Sequence, residues 1–201
     1  MNWLAHFLLA EATHTSLCGQ FLGDWVKGQN LSRFDPAIVH GIRLHRAIDR
    51  ISESQPEYHE LKSCFSPMFR RYASILIDVG FDYSLARNWQ GYSDVRLSEY
   101  THAVEHHLIR HWPTNAPFPA RRLRGLSGIM AAYDSPDGIR RVLAGIDDRL
   151  SRPPPLVRAF EELESLTSML DARLDSLWTR VQHQALTESI ELKAGFCCSR
   201  L

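Results

Sequence analysis

The stretch from Phe69 to Trp89, FRRYASILIDVGFDYSLARNW, limits the fold more than any other part of the chain. Stepping about 100° per residue, as a helix does, Ile75, Asp78, Asp82, Leu85 and Trp89 fall on one narrow face. Two carboxylates therefore sit inside a stripe whose other members are apolar. Burying one unpaired carboxylate costs several kcal/mol, and two side by side repel each other. A shared proton, a cationic partner from another helix, or a metal ion would relieve that cost. Asp78 and Asp82 are one turn apart, with Cβ atoms roughly 5–6 Å from each other, so both can reach one cation.

Helix-period patterns fill the rest of the chain, and alternating strand-like runs are scarce. MNWLAHFLLAEA reads as a buried first helix with Asn2 as its N-cap. THTSLCG reads as a loop, and QFLGDWVKG as a short second helix closed by Gly28. A third helix is expected from Pro36 to Ser52, a fourth over PEYHELKSCF, then the central one, then one from Ser93 to Trp112. Two more follow WPTNAPFP, in LRGLSGIMAAY and PDGIRRVLAGIDDRL. RPPPL at 152–156 reads as a rigid joint leading into a long closing helix from Leu156 to Ala185. The sequence thus specifies an all-α, single-domain helical bundle over residues 1–186, with a loosely ordered tail over 187–201.

The 201 residues suffice for one sizeable core. Lys+Arg and Asp+Glu both number 23, so no bulk charge favours nucleic acid or an anionic membrane as a partner. No segment approaches the roughly 18 unbroken apolar residues of a membrane span, and the start lacks the basic leader of a signal peptide. The four cysteines, Cys18, Cys64, Cys197 and Cys198, match no zinc-knuckle spacing. A reduced cytoplasmic protein is the expectation.

The third helix carries a second constellation. In GIRLHRAIDRI, Leu44, Ile48 and Ile51 form an apolar stripe, His45 and Asp49 a second stripe, and Arg43, Arg46 and Arg50 a third. A nitrogen and an oxygen ligand one turn apart, beside guanidiniums that suit phosphate, can serve metal and phosphoester chemistry; they can equally form a surface His–Asp hydrogen bond. H-x-x-x-D on one helix and D-x-x-x-D on another repeat the arrangement by which facing bundle helices hold a metal. Asp24, in GDWVKG, and His6 are further candidates, although His6 shares a face with Trp3 and Leu9 and can be a core histidine. Such ligands suit Mn, Fe, Mg or Zn. A metal so held acidifies water and polarises a phosphoryl oxygen. Arg43, Arg46, Arg50 and Lys27 are then candidate phosphate-binding or partner-facing groups. The histidines at 102, 106, 107 and 111 read as exposed.

MNWLAHFLLA, FLGDWVKG, GIRLHRAID and DVGFDYSLARNW, in this order and spacing, resemble the acyl carrier protein phosphodiesterases over residues 1–185, and RLSRPPPL with the closing helix is similar too. The resemblance implies a helical fold like that of the His-Asp (HD) phosphohydrolases and cleavage of the 4′-phosphopantetheine arm from holo acyl carrier protein. It further implies a divalent metal, Mn²⁺ foremost with Mg²⁺ or Fe²⁺ as alternatives, surrounded by His6, Asp24, His45, Asp49, Asp78 and Asp82. Of these, Asp24, His45, Asp49, Asp78 and Asp82 would be catalytic, and Lys27, Arg43, Arg46, Arg50 and Tyr83 would face the acidic substrate protein. The family usually reads D-x-x-x-D-H at the central helix, and Tyr83 stands where that His would be. A phenol is a poor neutral-pH base or metal ligand. A small phosphoester or nucleotide as substrate, or a carrier-protein-binding role without turnover, are the alternatives.

Overall fold

The computed structural model describes residues 2–150 and 155–198, with side chains to residue 194. No strand occurs among them. Ten α-helices follow one another: α1 Trp3–Ala12, α2 Leu17–Leu22, α3 Pro36–Glu53, α4 Pro56–Cys64, α5 Ala73–Arg87, α6 Leu97–His111, α7 Leu126–Ala131, α8 Pro136–Asp147, α9 Phe160–Ser165 and α10 Thr167–Cys198.

Helix α1 runs through the middle. Seven consecutive residues, Leu4 to Ala10, are buried, as a helix apolar on every side requires. It packs against α2, α5, α10 and α3, and Phe21, Phe81, Leu177 and Leu44 of those helices belong to the same core as Phe7 and Leu9. A smaller core of Leu22, Val26, Leu31, Phe34, Ile38, Val39 and Ile42 lies beneath the long loop between α2 and α3.

Three local features position the site. Ser16 caps α2, its Oγ accepting from Gly19 N at 3.1 Å, so α2 starts at Leu17 within the expected loop and stops at Leu22. Gly19 and Gly41 then let α2 and α3 touch backbone to backbone, since a Cβ on either would lie 2.8 Å from the other's Cα. Gly23 ends α2 without a side chain, and a Cβ there would lie 2.2 Å from the His45 ring. The residues after it fold as a turn directly over α3.

Two boundaries differ from the sequence pattern. The closing segment is not one helix from Leu156 to Ala185: α9 ends at Ser165, Leu166 caps it, and α10 starts afresh at Thr167. No Gly or Pro marks that break. Helix α10 also runs past Ala185 and Thr187 to Cys198, where a loosely ordered tail was expected. Ser189 is 2% exposed there, its Oγ 3.2 Å from His40 Nε2 on α3. Packing of α10 along α3 holds the first of the extra turns. Of the RPPPL joint, residues 152–154 lie outside the described residues, as do 199–201.

Candidate metal centre

The packing of α1, α2 and α3 brings four of the six ligand candidates together. His6 Nε2 lies 3.0 Å from Asp49 Oδ1, and His45 Nε2 lies 3.3 Å from Asp49 Oδ2 and 3.4 Å from Asp24 Oδ1. The two imidazoles stack with centroids 4.0 Å apart. His6, His45 and Asp49 can offer three donor atoms that all lie within 4.8 Å of one another. The histidine side chains are 3% and 4% exposed, whereas Asp24 and Asp49 are 47% and 37% exposed. Buried nitrogens thus form the floor and half-exposed carboxylates the rim.

The protons are unequally shared. Burial foremost, and the facing His45, hold His6 below the ordinary imidazole range. Burial also works against charge on His45, but hydrogen bonds to Asp24 and Asp49 outweigh it and raise that group to about 9. Burial would push both carboxylates up, yet the imidazoles hold Asp49 and Asp24 below their usual range. A single imidazolium therefore serves two carboxylates at distances long for charge-assisted bonds.

The donor chemistry fits a divalent cation. Gln20 Oε1, on α2, lies 3.1 Å from His6 Nδ1, and in the tautomer that donates from Nδ1 to it the Nε2 lone pair faces a carboxylate oxygen. Two acceptors then face each other, and a cation between them removes the conflict. An oxygen acceptor behind a ligating histidine also fixes its tautomer, as metal sites usually require. His45 Nδ1 and Gln20 Nε2 are buried with no hydrogen-bond partner.

The other two aspartates of α5 part company. Asp78 Oδ1 accepts from Tyr58 Oη at 3.2 Å, and Asp78 lines the same cavity as Asp24 and Asp49. Asp82 is fully buried and accepts from the backbone N–H groups of Leu4 and Ala5 at 2.8 and 3.2 Å. Those are the donors that an N-cap side chain would satisfy. Asn2 does not cap α1; its Nδ2 donates to Tyr133 Oη at 2.5 Å instead. Burial raises the Asp82 carboxyl to about 7, against the pull of those two N–H groups.

The cationic candidates also separate. Arg46 donates to the carbonyls of Val26 and Gly28 at 2.6 and 2.9 Å, pinning the turn that carries Asp24. Arg50 points toward Glu188 on α10 at 3.9 Å, and Arg43 is exposed on α3. Tyr83 is buried in the core with the Arg87 guanidinium 5.2 Å over its ring, so it packs beneath α5's own arginine. Lys27 alone of these five lines the cavity.

That cavity, about 1070 Å³, opens above the carboxylate rim. One wall is Trp3, Trp25 and Lys27; Ile75 and Asp78 belong to α5; the facing wall is α7 and α8, including Ile129, Arg141, Val142, Ile146 and Arg149. Trp3 Nε1 donates to Asp24 Oδ2 at 3.2 Å and so orients it. Gln20, Arg141 and Arg149 join the site although no motif marks them. The i, i+4, i+8 spacing of Arg141, Gly145 and Arg149 is their trace in the sequence.

The profile of the acyl carrier protein phosphodiesterase family matches residues 1–181. The chain is 31% identical over 192 residues to the acyl carrier protein phosphodiesterase of Serratia proteamaculans (strain 568), covering 92% of this chain and 97% of that protein. It is 31% identical over 197 residues to that of Escherichia coli O45:K1, and 30% identical over 197 residues to that of Enterobacter sp. (strain 638), each match covering 94% of this chain and all of the relative. No solved structure matches the chain, and among the described residues no helix is long and apolar enough to cross a membrane. The family match spans the three helices that build the metal-competent group and the two that wall its cavity, and this chain belongs to the acyl carrier protein phosphodiesterase family.

Proposed function

We propose that the protein hydrolyses the phosphodiester joining 4′-phosphopantetheine to a serine of holo acyl carrier protein, in the cytoplasm, with Mn²⁺ as the preferred metal and Mg²⁺ or Fe²⁺ as alternatives. The observation that carries this reading is the group of His6, His45 and Asp49, with Asp24 beside it, whose two carboxylates line a cavity whose walls bear cations. Water adds to phosphorus, the P–O bond to serine breaks, and the serine oxygen takes a proton. The products are apo carrier protein and 4′-phosphopantetheine.

His6 and His45 supply two nitrogens, and Asp49 and Asp24 supply carboxylate oxygens. A divalent cation held by them supplies Lewis-acid charge, which neutralises phosphoryl oxygens and activates water. Gln20 holds His6 in the tautomer with a bare Nε2. Trp3 and His45 fix the two oxygens of Asp24. Asp78, held by Tyr58, adds a further carboxylate on the cavity wall, toward water or the cation. Arg46 acts on the reaction through the Asp24 turn as a positioning residue.

Mass spectrometry of holo acyl carrier protein incubated with the purified protein and Mn²⁺, with and without chelator, tests this directly. Chelator-sensitive loss of the arm is the expected result. An intact arm in the presence of Mn²⁺ would overturn the reading, and cleavage of small phosphodiesters only would point to a small substrate.

A further inference from the structure

The stretch from 125 to 150, built on α7 and α8, has no role in holding a metal, yet it makes up more than half of the cavity lining. The lining residues of α8 are Gly138, Arg141, Val142, Gly145 and Ile146, all within an arc of about 140°, and Arg149 follows two residues past its end. The helix's remaining side chains have other tasks. Ile139 and Leu143 are buried in the core, and the Arg140 guanidinium packs 4.1 Å over the Phe160 ring and pairs with Asp137. One helix thus keeps a separate face for the cavity.

The cavity carries two features that packing alone does not explain. Lys27, Arg141 and Arg149 all line it, and among the described residues none of them pairs with a carboxylate, Arg149 donating from Nε to the Gly145 carbonyl at 3.0 Å, whereas Arg50, Arg87, Arg140, Arg173 and Arg180 do. The second is the pair of helical glycines at 128 and 145. A Cβ at either would meet nothing within 4 Å, whereas one at Gly138 would lie 1.7 Å from the Ala132 carbonyl oxygen. Gly138 is thus demanded by packing, and Gly128 and Gly145 weaken their helices without any packing reason. They leave depth in the cavity between Ile129, Val142 and Ile146. Arg149 lines the cavity together with Tyr133, whose hydroxyl accepts from Asn2, and with Asp24 of the metal centre. Arg141 sits in the middle of α8, eight residues earlier in the chain.

We propose that this wall is the seat of the pantetheine arm. Arg149 and Lys27 take the phosphate beside the metal centre, and the arm lies over Gly145 and Gly128 against Ile129, Val142 and Ile146, toward Arg141. Positive charge at one end and an apolar trough with amide-binding cations beyond it match a phosphorylated, linear, amide-containing chain. They match a flat nucleobase or a compact phosphate less well. The assignment rests on the phosphodiesterase reading, but binding can test it without turnover.

The test is calorimetric titration of 4′-phosphopantetheine, and of unphosphorylated pantetheine, into the full chain supplied with Mn²⁺. Arg149→Ala should weaken 4′-phosphopantetheine by about tenfold or more, the worth of one charged hydrogen bond, and leave pantetheine nearly unaffected. Gly145→Leu should weaken both ligands and lower kcat/KM on holo carrier protein by at least about tenfold. It should melt no lower than the wild type, because the new side chain meets open space in a helix that gains propensity. Unchanged affinity for both ligands in Gly145→Leu, or wild-type protein that does not bind 4′-phosphopantetheine, would overturn the assignment. Failure of the phosphodiesterase reading itself would show differently, as wild-type protein that binds the ligand but leaves the carrier protein intact.

Discussion

Asp82 and the group of His6, His45 and Asp49 both lie against helix α1, and both hold charge in the interior, but their hydrogen bonding differs. Asp82 has each oxygen matched to a backbone N–H that needs an acceptor, at 2.8 and 3.2 Å, and lies wholly within the core. The histidine group leaves His45 Nδ1 and Gln20 Nε2 without partners, sets the His6 lone pair against a carboxylate, and opens onto a cavity. A buried carboxylate with complete partners is architecture. A buried polar group with unpaired atoms and access to solvent is arranged for something that arrives later.

The largest effects should separate the two regions. His45→Ala should reduce turnover of holo carrier protein by about 1000-fold, the usual scale for losing a preorganised charged group at a reacting centre, and abolish stoichiometric Mn²⁺ binding. Its melting temperature should stay close to that of the wild type, because the substitution also removes a buried imidazolium. Kinetics, metal analysis and a thermal scan on one preparation check all three. Asp82→Ala should do the reverse. Two helix N–H groups lose their acceptor inside the core, so urea unfolding should show a loss of about 3 kcal/mol, while Mn²⁺ affinity per folded molecule is retained. If Mn²⁺ affinity collapsed and stability held, Asp82 would belong to the metal centre and the contrast between the two regions would fail.

Arg46 sharpens the comparison at an intermediate scale. If it belonged to a docking surface, reversing its charge would raise KM alone. With its guanidinium on the carbonyls of Val26 and Gly28, Arg46→Met should instead lower kcat by about 10–100-fold through a displaced Asp24, as loss of outer-layer support does in metal sites, and leave KM for the carrier protein nearly unchanged.

The sequence carried the helical class, the burial of α1 and the pairing of His45 with Asp49, because each is written in a local period of the chain. The DxxxD pair was legible as an anomaly, yet its two members serve different ends. Nothing within α5 distinguishes an aspartate that faces a cavity from one that caps a helix 77 and 78 residues earlier in the chain. Tertiary capping leaves no local signal, and for the same reason Asn2 looked like the cap of α1 when its amide is committed to Tyr133. The arginines of α3 show the converse. Their stripe was real, but an exposed face does not say which carbonyl or carboxylate lies opposite. Gln20, Arg141 and Arg149 were missed because a glutamine in a short helix, or an arginine in an amphipathic one, is ordinary until its neighbours are known.

The smallest effect tests the physical nature of the Asp82 cap. Burial raises this carboxyl from 3.8 to about 7 in the folded state. Between those values the folded chain binds more protons at this site than the unfolded chain does, so its contribution to stability is greatest at low pH and declines as pH rises through the folded value. Asp82→Asn keeps one acceptor toward Leu4 and Ala5 and removes the titration. Wild type minus variant, measured by urea unfolding from about pH 4 to about pH 7.5, should therefore fall steadily with rising pH, with the two proteins within about 1 kcal/mol of each other at neutrality. Taking the difference cancels the opposite trend from Asp24 and Asp49, whose carboxylates are held below their usual range and favour the folded state as pH rises. A flat difference would mean that the two N–H groups hold Asp82 ionised throughout. A rising difference would mean that its charge is matched by a cation in solution, and would move Asp82 from the core to the metal centre.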